Sequence, residues 1–335
     1  MSVSRRGFLS AAGGMGAMLA LAACGGEQPA TPKGSASPAA AGPWTFTDDR
    51  GRKVELPARP TRVVAQVSAA ATLWDFGVRP IAVFGPHKLK DGTKDPEAGD
   101  IDITKVETIG NVWDEFNIEK YISVQPELLV AGMYRNDELW YVPAKSAKDI
   151  EQVAPTIGVQ QQGKSGDELI RRYEELAVAL GADRAAPLVT QARQRFETAQ
   201  AALAAAVKET PRKVLFCGAS PDLFWVCNPG EFPDQKYFKA RGLDIVLPDK
   251  VDEGGYFESL SWENIDKYEA DAIFVDARAQ SMPVADIAKK PTWAKLPAVK
   301  AGHVYPWRAE TRFTYQGYAA QLEELVANLR KVTPN

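Results

Sequence analysis

One stretch limits the folds open to this chain of 335 residues more than any other. It runs from Asp183 to Lys208, is rich in alanine, and has no glycine; its single proline, Pro187, falls in the first turn. Leu188, Ala192, Phe196, Ala199, Leu203 and Val207 recur at three- and four-residue spacing, which predicts one long helix. Asp183 is the expected N-cap, Pro187 is tolerated so near the start, and Pro211 blocks continuation. About 25 residues at the α-helical rise reach roughly 37 Å, the width of a domain. Length alone fits either a surface helix on one large domain or a rod between two lobes.

The flanking sequence favours the rod. Before it, Phe116-Asn117-Ile118-Glu119-Lys120-Tyr121-Ile122 leads through Gln125-Pro126-Glu127 into the apolar run Leu128 to Ala131. After it, Leu260-Ser261-Trp262-Glu263-Asn264-Ile265 leads through Glu269-Ala270-Asp271 into Ala272 to Val275. Each half carries a capping residue, a glutamate two positions on, a short amphipathic helix, an acidic turn and a buried strand. Strands alternate with helices on both sides, so the expected fold is α/β. It comprises two Rossmann-like lobes with mostly parallel sheets, residues 44–182 and 210–335, joined by a helix over 183–209.

The first 43 residues stand apart from these lobes. Ser4-Arg5-Arg6-Gly7-Phe8-Leu9 opens a small-residue apolar run ending at Leu21-Ala22-Ala23-Cys24. The run falls short of the roughly 20 residues a membrane span needs. Its paired arginines match a twin-arginine export signal, and its ending resembles a bacterial lipobox. That resemblance implies removal of residues 1–23 and a lipid on the Cys24 sulfur. Residues 24–43 are mostly Gly, Ser, Thr, Pro and Ala, too poor in large apolar groups to fold. As a flexible tether of about 20 residues they would reach roughly 25 Å. The expected location is the outer face of the cell membrane.

A net charge of −3 gives no reason to expect nucleic acid. Cys217 and Cys227 are expected to flank a short loop. A disulfide between them is permitted in an oxidising compartment and is left open by spacing alone.

In parallel sheets, ligands lie beyond the carboxyl ends of the strands. The residues following the apolar runs include Trp113, Tyr134 with Arg135, Phe224 with Trp225, Tyr256 with Phe257, Arg278, and Trp307 with Arg308. Singly, each aromatic could equally plug a lobe edge; together they mark a ligand mouth. Asp137 to Val153 reads as helical with a break at Pro143, and Lys88 to Ile103 as an irregular insertion. No nucleophile elbow, zincin motif, Walker loop or dinucleotide fingerprint occurs, so no catalytic residues are assigned and no enzyme is expected. The two histidines, His87 and His303, lie in opposite halves, which disfavours a protein-built metal site. His303 is expected on the surface.

Three stretches carry a family resemblance. They are Thr45 to Val64 with its Asp48-Asp49-Arg50-Gly51 turn, the Asn117-Ile118-Glu119 and Gln125-Pro126-Glu127-Leu128 cassette, and Leu296 to Tyr305. From Trp44 onward the chain resembles the iron-siderophore substrate-binding lipoproteins of ABC transporters. The resemblance implies a helix-linked bilobal binder, of the class III periplasmic type, that delivers a ferric siderophore to a permease. It implies that Glu119 and Glu263 dock on permease arginines; a helix-dipole role for both is compatible with that. It also brings Trp113 and Tyr134 near the family's N-lobe ligand positions, and Tyr256 or Phe257 near a C-lobe aromatic.

Iron would be held by the chelator, so no cofactor is expected beyond the ligand, and the protein is expected to be a monomer. Aromatic faces suit a neutral or cationic hydroxamate complex, whereas a catecholate would call for more cations than Arg135, Arg278 and Arg308 supply. A cobalamin or haem binder of the same fold, and an exported enzyme, are the competing readings.

Overall fold

The computed structural model describes residues 42–278 and 281–333. The expected export segment, Cys24 and the tether up to Ala41 lie outside the described residues.

The described chain opens with a hairpin of β1 (Trp44–Thr47) and β2 (Lys53–Leu56), with Trp44 opposite Leu56. Its turn is fixed by Asp48, whose carboxylate accepts from the Arg50 and Arg52 amides, from Arg50 Nε at 2.6 Å and from the Gly158 amide at 3.0 Å. Trp44 stacks on Phe46 and donates its indole N–H to the Ala179 carbonyl at 2.8 Å. Trp44→Phe removes that bond and some packing. A loss of about 1–2 kcal/mol is expected in urea denaturation, and an unchanged midpoint would show the hairpin to be energetically idle.

The first half then runs β3 (Val63–Gln66), α1 (Val67–Asp75), β4 (Ala82–Phe84), β5 (Glu107–Gly110), α2 (Ile118–Ser123), β6 (Leu128–Met133), α3 (Ala147–Val153), β7 (Thr156–Gln160) and α4 (Gly166–Ala179). Its sheet has the order β5-β4-β3-β6-β7 and is parallel throughout. β3 and β6 are wholly buried, as helix-covered parallel strands must be.

The connecting helix α5 spans Pro187–Glu209. It begins four residues later than expected, because the Asp183 carboxylate caps a separate turn through the Ala185 amide at 2.8 Å. The buried stripe is Val189, Phe196, Ala199, Leu203 and Ala206, whereas Leu188 is 76% exposed.

The second half contains β8 (Lys213–Ala219), β9 (Leu223–Cys227), α6 (Pro233–Ala240), β10 (Asp244–Ile245), β11 (Phe257–Ser261), β12 (Ala272–Asp276), α7 (Val284–Ile287), α8 (Pro297–Lys300), β13 (Val304–Trp307) and α9 (Tyr315–Leu329). The order is β11-β9-β8-β12-β13, with β10 beside the start of β8. This sheet is mixed: β8, β10, β12 and β13 pair in parallel, and β9 alone is reversed, antiparallel to both its neighbours β8 and β11. The stretch expected as a loop around Phe224 is therefore a strand. The repeated cassette also diverges locally, since Asn117 caps a helix of six residues while its counterpart is the single 3-10 turn Trp262–Asn264.

Both cysteines are unbonded and buried. β9 pairs Val226, not Cys227, with Cys217, so alternation along the strand sends the two sulfurs to opposite faces of the sheet. His303 is also buried, at 5% exposure, with Nδ1 against the Asp271 carbonyl, so the surface placement expected for it does not hold.

The segment leading into α9 is stitched to the first half. Arg312 bonds Asp75 at 3.0 Å and Asp100 at 2.9 Å; the Phe313 amide donates to Thr72 Oγ1, and Thr314 Oγ1 donates to Asp75 at 2.8 Å. α9 runs along α5, with Arg195 on Glu323 and Phe196 among Tyr315, Tyr318 and Tyr237. Two helices therefore join the halves.

Candidate functional site

The carboxyl ends of both sheets converge on one region. From the first half come Gln66 at the end of β3, Gly85 after β4 and Tyr134 after β6. From the second come Asp276 and Arg278 at β12 and Glu310 after β13.

Gly85 sits at φ +92°, and an added Cβ would meet Gln66 Nε2 at 3.3 Å and the Tyr141 ring at 3.5 Å, so this turn needs glycine. Tyr141, itself at φ 62°, follows Trp140 in a loop that breaks the helix expected over Asp137 to Val153. Trp140 centres an aromatic wall. Its ring lies 4.8 Å from Tyr134, 4.8 Å from Trp113 and 5.9 Å from Tyr141, and Trp113 edges onto Tyr141 at 5.2 Å. Trp113 is half exposed.

The second half supplies another aromatic wall, in which Phe232 meets Tyr256 at 5.2 Å and Phe257 at 5.5 Å, while Trp225 lies 6.1 Å from Phe257. Space at Gly218 ties this wall to the floor, for a Cβ there would fall 3.4 Å from Trp225 and 3.6 Å from Asp276. The walls meet where the Tyr256 hydroxyl donates to the Tyr134 carbonyl at 2.6 Å.

The floor is polar. Arg278 forks onto Asp276 at 2.8 Å and Glu310 at 2.5 Å, and Trp140 Nε1 donates to the other Glu310 oxygen at 3.3 Å. Gln66 donates to Glu97 at 2.9 Å. Burial opposes the Arg278 charge, but Asp276 and Glu310 more than offset it and hold the guanidinium well above its usual range. Burial, reinforced by Glu310, pushes the Glu97 carboxyl well above the usual carboxylate range. Burial and the same two carboxylates raise the Tyr134 phenol.

Of the residues expected at the mouth, Trp113, Tyr134, Trp225, Tyr256, Phe257 and Arg278 come together. Phe224 does not: strand alternation turns it away from Trp225 into a separate core, fully buried against Trp262 and Trp293. Trp307 is 5% exposed and supports Phe232 from the core, its indole donating to Asp234 at 2.6 Å. Arg135 and Arg308 are exposed, and Arg308 donates to the Ala277 carbonyl at 3.0 Å. Glu119 and Glu263 are both exposed, each in the first turn of its element.

Trp140, Tyr141, Gln66, Glu97 and Glu310 were not anticipated. Two adjacent aromatics just before Pro143 were the available signal for the Trp140 loop. Glu97 lies within Lys88 to Ile103, a segment whose sequence reads as an irregular insertion and carries no motif.

A cavity of about 390 Å³ lies between α9 and β13, lined by Phe274, Trp307, Arg308, Glu310, Gln321 and Pro96 among others. It borders the polar floor through Glu310 but contains none of the wall residues Trp113, Tyr134, Trp225 or Tyr256. Behind Trp307, burial pushes the Asp234 carboxyl up to about 6, from an ordinary 3.8. Its folded value is the higher, so the native state binds this proton more tightly than the unfolded chain. The stabilisation is complete below about pH 4 and is lost as pH rises through about 6. Asp234→Asn is expected to flatten the fall in urea midpoint between about pH 4 and 6.5; an unaltered slope would assign it to other groups.

Among the described residues, no group of three or more His, Cys, Asp or Glu is placed to hold a metal, and no helix is long and apolar enough to cross a membrane. Two α/β halves that bring an aromatic wall each to a shared charged floor have the make-up of a solute-binding protein. The chain belongs to the periplasmic binding protein family, whose model matches residues 63–311. This is a family of substrate-binding proteins, not enzymes.

The chain is similar to DesE, a ferric-siderophore receptor protein from Streptomyces coelicolor. The two are 42% identical, with 87% of this chain and 100% of DesE covered and a TM-score of 0.82. It is also similar to two Bacillus subtilis proteins. The Fe(3+)-citrate-binding protein YfmC is 25% identical, with 85% of this chain and 84% of YfmC covered. The iron(3+)-hydroxamate-binding protein YxeB is 23% identical, with 86% and 85% covered.

Proposed function

We propose that this protein captures a ferric siderophore of the hydroxamate type between the Trp113–Trp140–Tyr134 and Trp225–Phe257–Tyr256 walls and hands it to an ABC importer. In this reading the mature chain is a monomer held at the outer face of the membrane by lipid on Cys24. Glu119 and Glu263 meet the permease. The iron stays with its chelator, and the protein reads the outer surface of the complex.

The observation that carries the reading is the pair of aromatic walls over an arginine already engaged by two carboxylates. Apolar hydroxamate chelates match the walls. A polyanionic catecholate or citrate chelate would need unpaired cations, and Arg278 has given both its edges to Asp276 and Glu310. DesE and YxeB, whose names specify a ferric siderophore and iron(3+)-hydroxamate, support the class.

The test is a titration read by tryptophan emission. A ferric tris-hydroxamate is expected to give saturable quenching at micromolar concentration or below, with little response to uncomplexed ferric ion. A stronger response to ferric citrate or a ferric tris-catecholate would overturn the hydroxamate assignment. A Soret shift with haem, and none of these responses, would replace the siderophore reading.

A further inference from the structure

We propose that three side-chain contacts across the rim clasp the two halves together and oppose entry of the chelate, so that the walls part before it seats. The proposal rests on the siderophore reading above and adds how the mouth is gated.

The two tyrosines at which the walls meet are covered. Tyr134 is 9% exposed and Tyr256 8%, and the Tyr134 hydroxyl is shut from water. Rings that grip a ligand need a free face, and these two press on each other's half instead. The Tyr256 hydroxyl donates to the Tyr134 carbonyl at 2.6 Å. Beside it, Gln162 Nε2 of the first half donates to the Gly254 carbonyl of the second at 3.0 Å, and Lys236 Nζ of the second donates to the Gly163 carbonyl of the first. Gly163, at φ +68°, and Gly255, at φ +80°, both turn beside Glu231: an added Cβ would lie 3.9 Å from its carboxylate at either position.

Each turn is braced within its own half. In the second, Asn228 Nδ2 donates to the Gly255 carbonyl and its amide to the Tyr256 carbonyl, both at 2.8 Å, while the Tyr256 amide donates to Asp252 at 3.0 Å. In the first, the Gln161 amide donates to the Met133 carbonyl at 2.9 Å and the Lys164 amide to the Gln161 carbonyl at 3.1 Å. Neither turn depends on the clasp. Parting the rim therefore breaks three side-chain bonds, and the freed carbonyls of Tyr134, Gly163 and Gly254 pass to water.

Other contacts also cross between the halves. Arg312 on Asp75 and Asp100, and the Phe313 amide on buried Thr72, tie the lead-in to α9 and keep that junction closed. The bond from Trp140 to Glu310, long at 3.3 Å, crosses the floor. The rim thus opens about a fixed junction. A bond exchanged for water has an ordinary net strength of about fivefold in an equilibrium. Affinity falls by the fraction of molecules that are open, so each clasp bond weakens binding by about that factor.

The test is stopped-flow tryptophan quenching of the purified mature protein by a ferric tris-hydroxamate. Tyr256→Phe keeps the ring and loses the clasp hydroxyl; Gln162→Ala loses a clasp bond outside the aromatic walls. Each is expected to raise the association rate and lower Kd by about fivefold, and the double variant by more than either alone. Thermal melts accompany each variant, and Gln162→Ala decides the matter by itself should Tyr256→Phe fail to fold. Unchanged or weaker binding in folded Gln162→Ala overturns the clasp and leaves the siderophore reading intact. Weaker binding in Tyr256→Phe with no gain in Gln162→Ala also overturns it, and makes the Tyr256 hydroxyl a ligand contact. A wild type that binds no ferric tris-hydroxamate overturns both.

Discussion

Arg278→Ala is expected to lower unfolding stability by about 3–5 kcal/mol, the largest loss from any single change at the floor. The Arg278 side chain is 17% exposed, with Asp276 at 8% and Glu310 at 1%, so truncation leaves two carboxylates shut from water without a counter-ion. Coulomb attraction between such groups is far less screened than at a surface. Arg278→Lys restores the charge but not the fork that serves both carboxylates, so it is expected to recover only part of the loss. Urea denaturation of the three proteins tests this. Near-wild-type stability in Arg278→Ala would mean that the carboxylates find solvent, and would remove the charged floor from the account.

Trp140→Ala is expected to weaken binding of a ferric hydroxamate by about 100-fold or more, some 3 kcal/mol. Trp140 touches every other member of the first wall and is tied to the floor through Glu310. Its removal leaves Trp113, already half exposed, with Tyr141 alone of its two ring neighbours. Trp113→Ala removes one face and leaves the rest standing, so its loss is expected to be smaller. Equal losses in the two variants would argue against a wall organised around Trp140.

What the sequence reveals follows the strength of each local signal. Uninterrupted apolar runs such as Leu128 to Ala131 and Ala272 to Val275 have no stable home except a covered strand, and they form β6 and β12. The spacing of Phe196, Ala199 and Leu203 has no reading but a helix. The end of that helix was harder to place, because Asp183 can cap a turn as readily as a helix. Phe224 and Trp225 show the limit of reading a dipeptide as a loop. Once they occupy a strand the backbone sends them to opposite faces, and only pairing between distant segments reveals which one meets the mouth. Glu97 and Glu310 are further still from local legibility. They are neighbours through the fold alone, and neither carries a motif.

The account turns on where iron sits. X-ray data collected above and below the iron edge, from crystals of the protein grown with a ferric tris-hydroxamate, locate that atom directly. The expected anomalous peak lies between the Trp113–Trp140–Tyr134 wall and the Trp225–Phe257–Tyr256 wall, above Arg278. A peak in the cavity between α9 and β13, or on the outer surface near Glu119 or Glu263, would contradict the assignment of this mouth as the ligand site.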